Sequence, residues 1–340
     1  EFFNGLGGFD KDGREYVTIL AQDRTTPAPW INVVANAGFG FQISADGSGY
    51  SWAQNSRENQ LTQWSNDAVV DPAGEAIYVR DEESGDLWSP TAQPIRGDGT
   101  YVARHGFGYS RFEHEANGIA LDLLHYVPLD DPIKISRLKL ANFSGRPRRL
   151  SVTVYAEWVL GTSRGASSPF ITTEIDEQSG AMLARNRWSS TFGSRVAFAD
   201  LAGRQTAWTA DRTEFIGRDS GPSSPLGLAS RAPLSGATGA GLDPCAALQT
   251  VVELGVGETI EVVSFIGQCG SVEEARALLA RYRQADLDAV LAAVTAHWDG
   301  VLGTVQVKTP DRAMDIMLNG WLLYQTLACR IWARSAFYQA

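Results

Sequence analysis

Residues 27–94 hold the side chains whose types and spacing suit a chemistry. Pro27-Ala-Pro29-Trp30-Ile-Asn32 is followed by Gly38-Phe-Gly40-Phe41 and by Gly49-Tyr50-Ser51-Trp52. Asn55-Ser56-Arg57-Glu58-Asn59 and Gln63-Trp64-Ser65-Asn66-Asp67 come next. Aromatic rings beside Asn, Arg, Glu and Asp are what a sugar site requires. The rings cover the apolar faces of a pyranose, and the polar groups take its hydroxyls. Trp30, Trp52 and Trp64 also suit the core of a β sandwich, and residue types alone leave both readings open.

Other chemistries find little support. Gly161-Thr-Ser163-Arg-Gly165 matches G-x-S-x-G, but a nucleophile elbow needs a strand–turn–helix in an α/β sheet, and these flanks read as strand and loop. His105, His114, His125 and His297 never fall in H-x-x-x-H or with Cys at zinc spacing. His114 lies between Glu113 and Glu115, yet successive strand residues point to opposite faces. Asp10-Lys-Asp12-Gly13 begins like a calcium loop, but Ile19 stands where the closing Glu belongs, so a turn is expected. Neither G-x-G-x-x-G nor G-x-x-x-x-G-K-[ST] occurs, which removes the common nucleotide cradles. Three Cys without C-x-x-C exclude a disulfide scaffold and a Cys-based zinc site, and agree with a reducing compartment. No resident cofactor or metal is expected.

The elements around these residues are mostly strands. From about 14 to 265 short alternating runs sit between turn signals. The runs are Tyr16–Leu20, Phe39–Ile43, Ala76–Arg80, Ile119–Val127, Ile133–Leu140, Leu150–Trp158 and Thr259–Ile266. The turns include Asp46-Gly47, Ser84-Gly85, Gly97-Asp98-Gly99 and Ser144-Gly145. Helical alternation is missing, so a large antiparallel sandwich fits and a parallel βαβ fold does not. Residues 217–244, rich in Gly, Ser, Pro and Ala, read as a long surface loop, a frequent place for function. With Asp243-Pro244-Cys245 it is a further candidate region.

At Ser271 the period changes. Ser271-Val-Glu-Glu274 is a capping box, and Val272, Ala275, Leu278, Leu279 and Tyr282 follow at helical spacing. Leu287, Val290, Leu291, Val294 and Trp298 mark a second helix. An extended piece over Val301–Val307 precedes Thr309-Pro310, the expected N-cap and N1 of a third helix. Met314, Met317, Leu318, Trp321, Leu322 and Ile331 cover more than one stripe of it, so it wants neighbours on several sides. These boundaries divide the chain into a sandwich over 1–268, a helical linker over 269–308 and the first helix of another domain over 309–340.

Composition bounds the partners. At 340 residues the chain is long enough for about two domains. Twenty-nine basic residues against 39 acidic ones give −10, which argues against a nucleic-acid surface or an anionic membrane. Ten Trp, 10 Tyr, 14 Phe and 34 Gly suit a turn-rich β protein. No run of 18 apolar residues is present, so no membrane insertion is expected. The first residue is not Met, and the last residues continue an apolar helical pattern, so a fragment of a longer protein is expected.

The run TPAPWINVVANAGFGFQISADGSGYSWAQNSRENQLTQWSND resembles glycoside hydrolase family 94. LWSPTAQPIR (87–96), YVARHGFGYSRFEH (101–114), SGRPRRLSVTVYAEWVLGTSR (144–164), GLDPCAALQ (241–249) and EEARALLARYR (273–283) continue the resemblance in order. That family includes cellobiose, chitobiose and 1,2-β-oligoglucan phosphorylases and a region of cyclic β-1,2-glucan synthases, the branch to which the wording is most similar.

The resemblance implies a mainly β fold: a large antiparallel β super-sandwich, linker helices, and the start of an α/α six-hairpin barrel. It implies inverting phosphorolysis or glycosyl transfer on a β-glucan oligosaccharide, with inorganic phosphate as co-substrate and a general-acid Asp beyond residue 340. Phosphate replaces the base-activated water, so one protein carboxylate suffices. By the same resemblance Arg334 is the expected hydroxyl contact near the barrel start, with Arg330 as its alternate or as a structural ion pair. Arg57, Glu58 and Asn59, or the pair Trp52 and Trp64, are expected to line the acceptor side. A homodimer through the sandwich and a cytoplasmic place, free or as a domain of an inner-membrane synthase, are also implied. The alternative is a stand-alone carbohydrate-binding or dimerisation sandwich without catalysis.

Overall fold

The computed structural model describes residues 1–21, 24–65, 67 and 69–333. Alternation of apolar and polar residues becomes strands from β1 (Gly7–Phe9), β2 (Tyr16–Ala21), β3 (Ile31–Ala35), β4 (Phe39–Ser44) and β5 (Gly49–Ala53) onward. Next come β6 (Gln60–Thr62), β7 (Glu75–Asp81), β8 (Leu87–Trp88), β9 (Thr100–Gly106), β10 (Tyr109–Ala116) and β11 (Ile119–Tyr126). The central pair in sequence is β12 (Ile133–Asn142) and β13 (Arg148–Gly161). The rest are β14 (Ile171–Ile175), β15 (Met182–Asn186), β16 (Val196–Asp200), β17 (Ala207–Asp211), β18 (Pro244–Leu254) and β19 (Thr259–Cys269). Six of the seven strand runs expected from alternation lie inside these elements, and the seventh, Ile119–Val127, overruns β11 by the single residue Val127.

The strands form two antiparallel sheets. One has the order β1-β2-β9-β10-β11-β12-β19-β16-β15-β14, and the other runs β17-β18-β13-β6-β5-β4-β3, with β7 pairing β13 and β8. The facing sides meet in one large core that includes Phe39, Phe41, Leu121, Leu123, Leu138, Val152 and Trp158. The long central strands β12 and β13 are buried along most of their length, because both faces of their sheets are covered. Gly47 turns β4 into β5 with φ +95°, and a Cβ there would stand 2.3 Å from Thr91 Cβ. Only glycine serves both demands.

Helices cover the outer faces. α1 (Arg164–Ser167) and α2 (Arg212–Phe215) are single turns, while α3 (Val272–Gln284) and α4 (Leu287–Leu302) lie against the larger sheet. Leu278, Leu279 and Tyr282 pack there on Ile133, Ile135, Phe198 and Phe265. The expected cap at Ser271 is present: its Oγ accepts from Glu274 N–H at 3.2 Å, and Glu274 reaches back to Gly270 N–H rather than to Ser271. The stretch expected as a loop over 217–244 is one as far as residue 243, with one 3-10 turn, and β18 begins at Pro244. The loop's Leu228 and Leu234 sit on Phe215, Ile216 and Tyr78. It is therefore a cover for the smaller sheet as well as a surface feature.

Two helix boundaries differ from expectation. α4 continues to Leu302, so residues 301 and 302 are helical rather than extended. The last helical segment starts at α5 (Arg312–Ile316) with Asp311 as N-cap, its carboxylate accepting from Ala313 N–H at 2.9 Å. Thr309 instead exchanges hydrogen bonds with the Asp311 backbone, two residues outside the helix. Wide π turns over Met317–Trp321 and Thr326–Trp332 flank α6 (Leu322–Gln325). Among the described residues no helix is long and apolar enough to cross a membrane.

Candidate functional site

The C-terminal helical segment lies on the outer face of β3–β5, and this contact organises the candidate site. Tyr50, Trp52, Val33 and Ala35 pack there against Trp298, Trp321, Tyr324 and Ala328. Tyr324 Oη lies 2.9 Å from Val33 O and 3.0 Å from Asn32 Oδ1, and accepts from Gly108 N–H at 3.2 Å. Trp321 Nε1–H donates to Gly13 O at 2.9 Å. The turn expected at Asp10–Gly13 is thus a docking point for the helix, and Asp10 Oδ1 accepts from Arg14 N–H at 2.8 Å.

The residues expected to bind sugar divide into two groups. Trp52 is 2% exposed and Asn59 is fully buried. Trp52 is held between Gly40 and the helical segment, so its ring offers no open face for a pyranose to stack on. Trp64 is half-buried, 5.8 Å from Tyr50 between ring centroids. Asn59 Nδ2 donates to Ala53 O at 2.8 Å and to Gln268 Oε1 at 2.7 Å, so it holds the loop and does not face outward.

Arg57 and Glu58, by contrast, stand at the exposed tip of the β5–β6 loop, 3.6 Å apart. Asn55 Oδ1 accepts from both of their backbone N–H groups, at 3.1 and 2.9 Å. Ser56 Oγ donates to Ala333 O, which ties the loop tip to the end of the described helical segment. Arg330 is exposed on that segment. Arg334 lies outside the described residues.

A groove of about 430 Å³ runs beside the loop, lined by Asn55, Glu58, Thr162, Asn186, Trp188 and Thr191 among others. Its floor comes from a bulge in β13, where pairing with β6 shifts between Trp158 and Gly161. Leu160 there takes φ +43°, a left-handed conformation that a branched residue adopts only when its surroundings impose it. The bend brings Gly161 and Thr162 to the groove, where Gln60 Nε2 reaches Thr162 O at 3.3 Å. Just beyond the groove, Gln268 Oε1 accepts from Asn59 Nδ2 at 2.7 Å and from Arg195 Nε at 2.8 Å, which joins the ends of the two segments that border it.

Trp188 was not among the expected residues. It is 72% exposed and stacked on Phe170, with centroids 4.8 Å apart and planes 12° apart. A signal existed in Asn186-Arg-Trp188-Ser-Ser-Thr191, where a lone ring stands inside a polar run.

Several acid–base and nucleophilic groups outside this groove serve packing or ion pairing. Ser163 stands at the N-cap position of the single-turn α1 without a side-chain hydrogen bond to it, and its neighbour Arg164 is bound to Glu157 and Asp243, so the G-x-S-x-G match is no strand–turn–helix elbow. Burial pushes the Cys245 thiol up, and the Cys269 thiol to about 11, so neither is a ready nucleophile. Burial also pushes His105 down to about 4, with Nδ1 3.0 Å from Ser110 Oγ. His125 lies well below its ordinary value, from burial first and Lys134 second.

Residues 14–285 match the family description "Glycosyl hydrolase 94, supersandwich domain", and residues 297–340 match "Glycosyl hydrolase 94 superfamily, catalytic domain". Across its whole length the chain is 44% identical to the cyclic beta-(1,2)-glucan synthase NdvB of Rhizobium meliloti, of which it spans 12%. It is 28% identical to an N,N'-diacetylchitobiose phosphorylase of Vibrio furnissii, over 98% of the chain and 42% of that protein. The chain thus spans less than half the length of these curated relatives. A bacterial glucoamylase complexed with acarbose superposes with TM-score 0.50 over 85% of this chain and 41% of that one, at 7% identity, which is a likeness of fold alone. With the supersandwich and catalytic descriptions matched in order along it, this chain belongs to glycosyl hydrolase family 94.

Proposed function

We propose that the chain is the N-terminal part of a β-glucan-acting glycoside phosphorylase or cyclic β-1,2-glucan synthase. One observation carries this: the 44% identity to the glucan synthase runs through the sandwich and into the catalytic match. In this proposal inorganic phosphate attacks the anomeric carbon of a β-linked glucosyl unit with inversion and gives α-glucose 1-phosphate. In the reverse step an acceptor sugar hydroxyl attacks the anomeric carbon of that α-phosphate with inversion, releasing phosphate and restoring a β bond. A single Asp beyond residue 340 protonates the leaving oxygen. Arg334 and Arg330 take sugar hydroxyls near the start of the catalytic domain. Arg57 and Glu58 contact the acceptor side from the loop that Ser56 ties to Ala333. Self-association through the sandwich and a cytoplasmic location belong to the same proposal.

The test is turnover by the full-length gene product. With β-1,2-gluco-oligosaccharides and phosphate, α-glucose 1-phosphate is expected, or a redistribution of glucan chain lengths. Absence of both on β-1,2- and β-1,4-linked glucans overturns the proposal. R57A and E58A are expected to raise KM for the glucan about tenfold with little change in kcat, the pattern of lost uniform binding. The second reading, a carbohydrate-binding sandwich without catalysis, is favoured by the exposed Phe170–Trp188 stack.

A further inference from the structure

The stacked rings of Phe170 and Trp188 form a flat apolar surface at the edge of the groove, and no packing demand explains it. Trp188 is 72% exposed and Phe170 39%. Among the described residues the other nine tryptophans are buried or half-buried. Leaving an indole in water forgoes the burial that the other indoles obtain, and exposed aromatic platforms mark contact sites. We propose that Phe170 and Trp188 are the stacking platform of a sugar-binding subsite that holds a neutral β-linked gluco-oligosaccharide along this groove. The ligand class rests on the proposed function, while the site itself rests on the geometry.

The platform is held in place before any ligand arrives. Asn186 Oδ1 accepts from Trp188 N–H at 3.2 Å, and Asn186 Nδ2 donates to Leu160 O at 2.9 Å. Ser189 Oγ accepts from Phe192 N–H at 3.0 Å, and Gly193 N–H bonds Ser189 O at 3.0 Å. Phe170 ends a 3-10 turn that leads into β14. Rigid rings lose little freedom when a sugar stacks on them, so little of the binding energy is spent on ordering.

In the lining of the groove beside the rings, the Asn55 and Asn186 amides hold the backbone of its two loops. The groove also carries hydroxyl groups from Thr162, Ser189, Ser190 and Thr191, with the carboxylate of Glu58. These are partners for sugar hydroxyls, each of which donates and accepts. A nucleic acid is disfavoured, since the groove lining includes no Lys or Arg and the chain carries −10. A pyranose instead offers apolar C–H faces to the rings and hydroxyls to the walls.

The test labels the full-length gene product with 5-fluorotryptophan and assigns the Trp188 resonance by its loss in W188F. Titration with β-1,2- or β-1,4-gluco-oligosaccharides is expected to shift that resonance saturably. W188A is expected to weaken retardation in glucan-containing gels about tenfold, with W188Y restoring most of it. Because Trp188 is exposed, W188A should melt within about a degree or two of the parent. A Trp188 resonance unmoved by either glucan overturns the inference, even if phosphorolysis is normal. A resonance that moves with protein concentration and not with sugar overturns it too, assigning the rings to contact between copies. Loss of sugar-phosphate release with an intact Trp188 response instead sinks the catalytic proposal and leaves the subsite standing.

Discussion

At the scale of single residues, the unexpected feature is a charge pair between the sheets. Lys134 Nζ lies 2.7 Å from Glu75 Oε2, and Ser51 and Thr62 each donate to Oε1 at 2.7 Å. Burial pushes the Glu75 carboxyl up, but the Lys134 ammonium and the hydroxyls outweigh it and hold the carboxyl below its ordinary value. Removing one partner strands the other in the core. K134M is therefore expected to lose about 3–5 kcal/mol in urea unfolding. K134M/E75Q removes the stranded charge and keeps an acceptor for the hydroxyls, so it should recover about 1–3 kcal/mol of that loss. Strict additivity of K134M and E75Q would refute the coupling. The buried histidines set an acid limit of their own. His105 stays neutral in the fold down to about pH 4, whereas an unfolded histidine charges near 6.5. The unfolded chain thus binds the extra proton as pH falls through that window, and stability drops there, by about 3 kcal/mol at most for His105. Asp176, held low by Arg276, adds its loss only below the ordinary Asp range. H105Q should flatten the fall in unfolding free energy between pH 7 and 4.5, and an unchanged slope would reject the assignment.

At the scale of elements, Gly40 shows why β3–β5 can receive a helix. The Trp52 indole crosses its Cα so closely that a Cβ would stand 2.5 Å from Cζ2 and 2.6 Å from Ala35 Cβ. G40A should push Trp52 into Tyr324 and its neighbours, destabilising by about 1–3 kcal/mol with the sheet intact by circular dichroism. A neutral G40A would mean the helical segment does not clamp the ring. The same packing explains what could be read ahead of the fold. Strands over Ile119–Val127, Ile133–Leu140 and Leu150–Trp158 were legible, to within a residue at Val127, because a period of two is local information. The cap at Ser271 was legible for the same reason. Thr309-Pro310 misled because Thr and Asp both cap helices well, and the choice of Asp311 is made by the register of the following turn. The rings misled more seriously. Trp52 and Trp188 both sit among small and polar residues, and only the helical segment laid over β5 hides one and leaves the other in water. Exposure of an aromatic is a property of distant contacts. The π turns of the helical segment likewise have no local signature.

At the scale of the molecule, the helical segment has two unlike sides. Ile316, Trp321, Tyr324 and Ala328 are buried on β3–β5, while Met314, Leu318, Leu322, Leu323 and Ile331 lie 39–59% exposed. A row of such side chains is unusual on a surface that meets only water. Residues 297–340 match the catalytic domain of the family, and the chain covers 42% of the Vibrio furnissii phosphorylase. In the proposed full-length protein the remainder of that domain covers this row. The same substitutions should then act with opposite sign in two contexts. L322E/L323E in the isolated 340-residue chain places carboxylates in water and should reduce dye binding and aggregation, with melting nearly unchanged. In the full-length gene product they would bury unpaired carboxylates, lowering its melting temperature by several degrees and its sugar-phosphate release with it. Calorimetry and light scattering on both forms decide the matter: a full-length protein that tolerates both carboxylates leaves this face uncovered and removes the support for a barrel packed upon it.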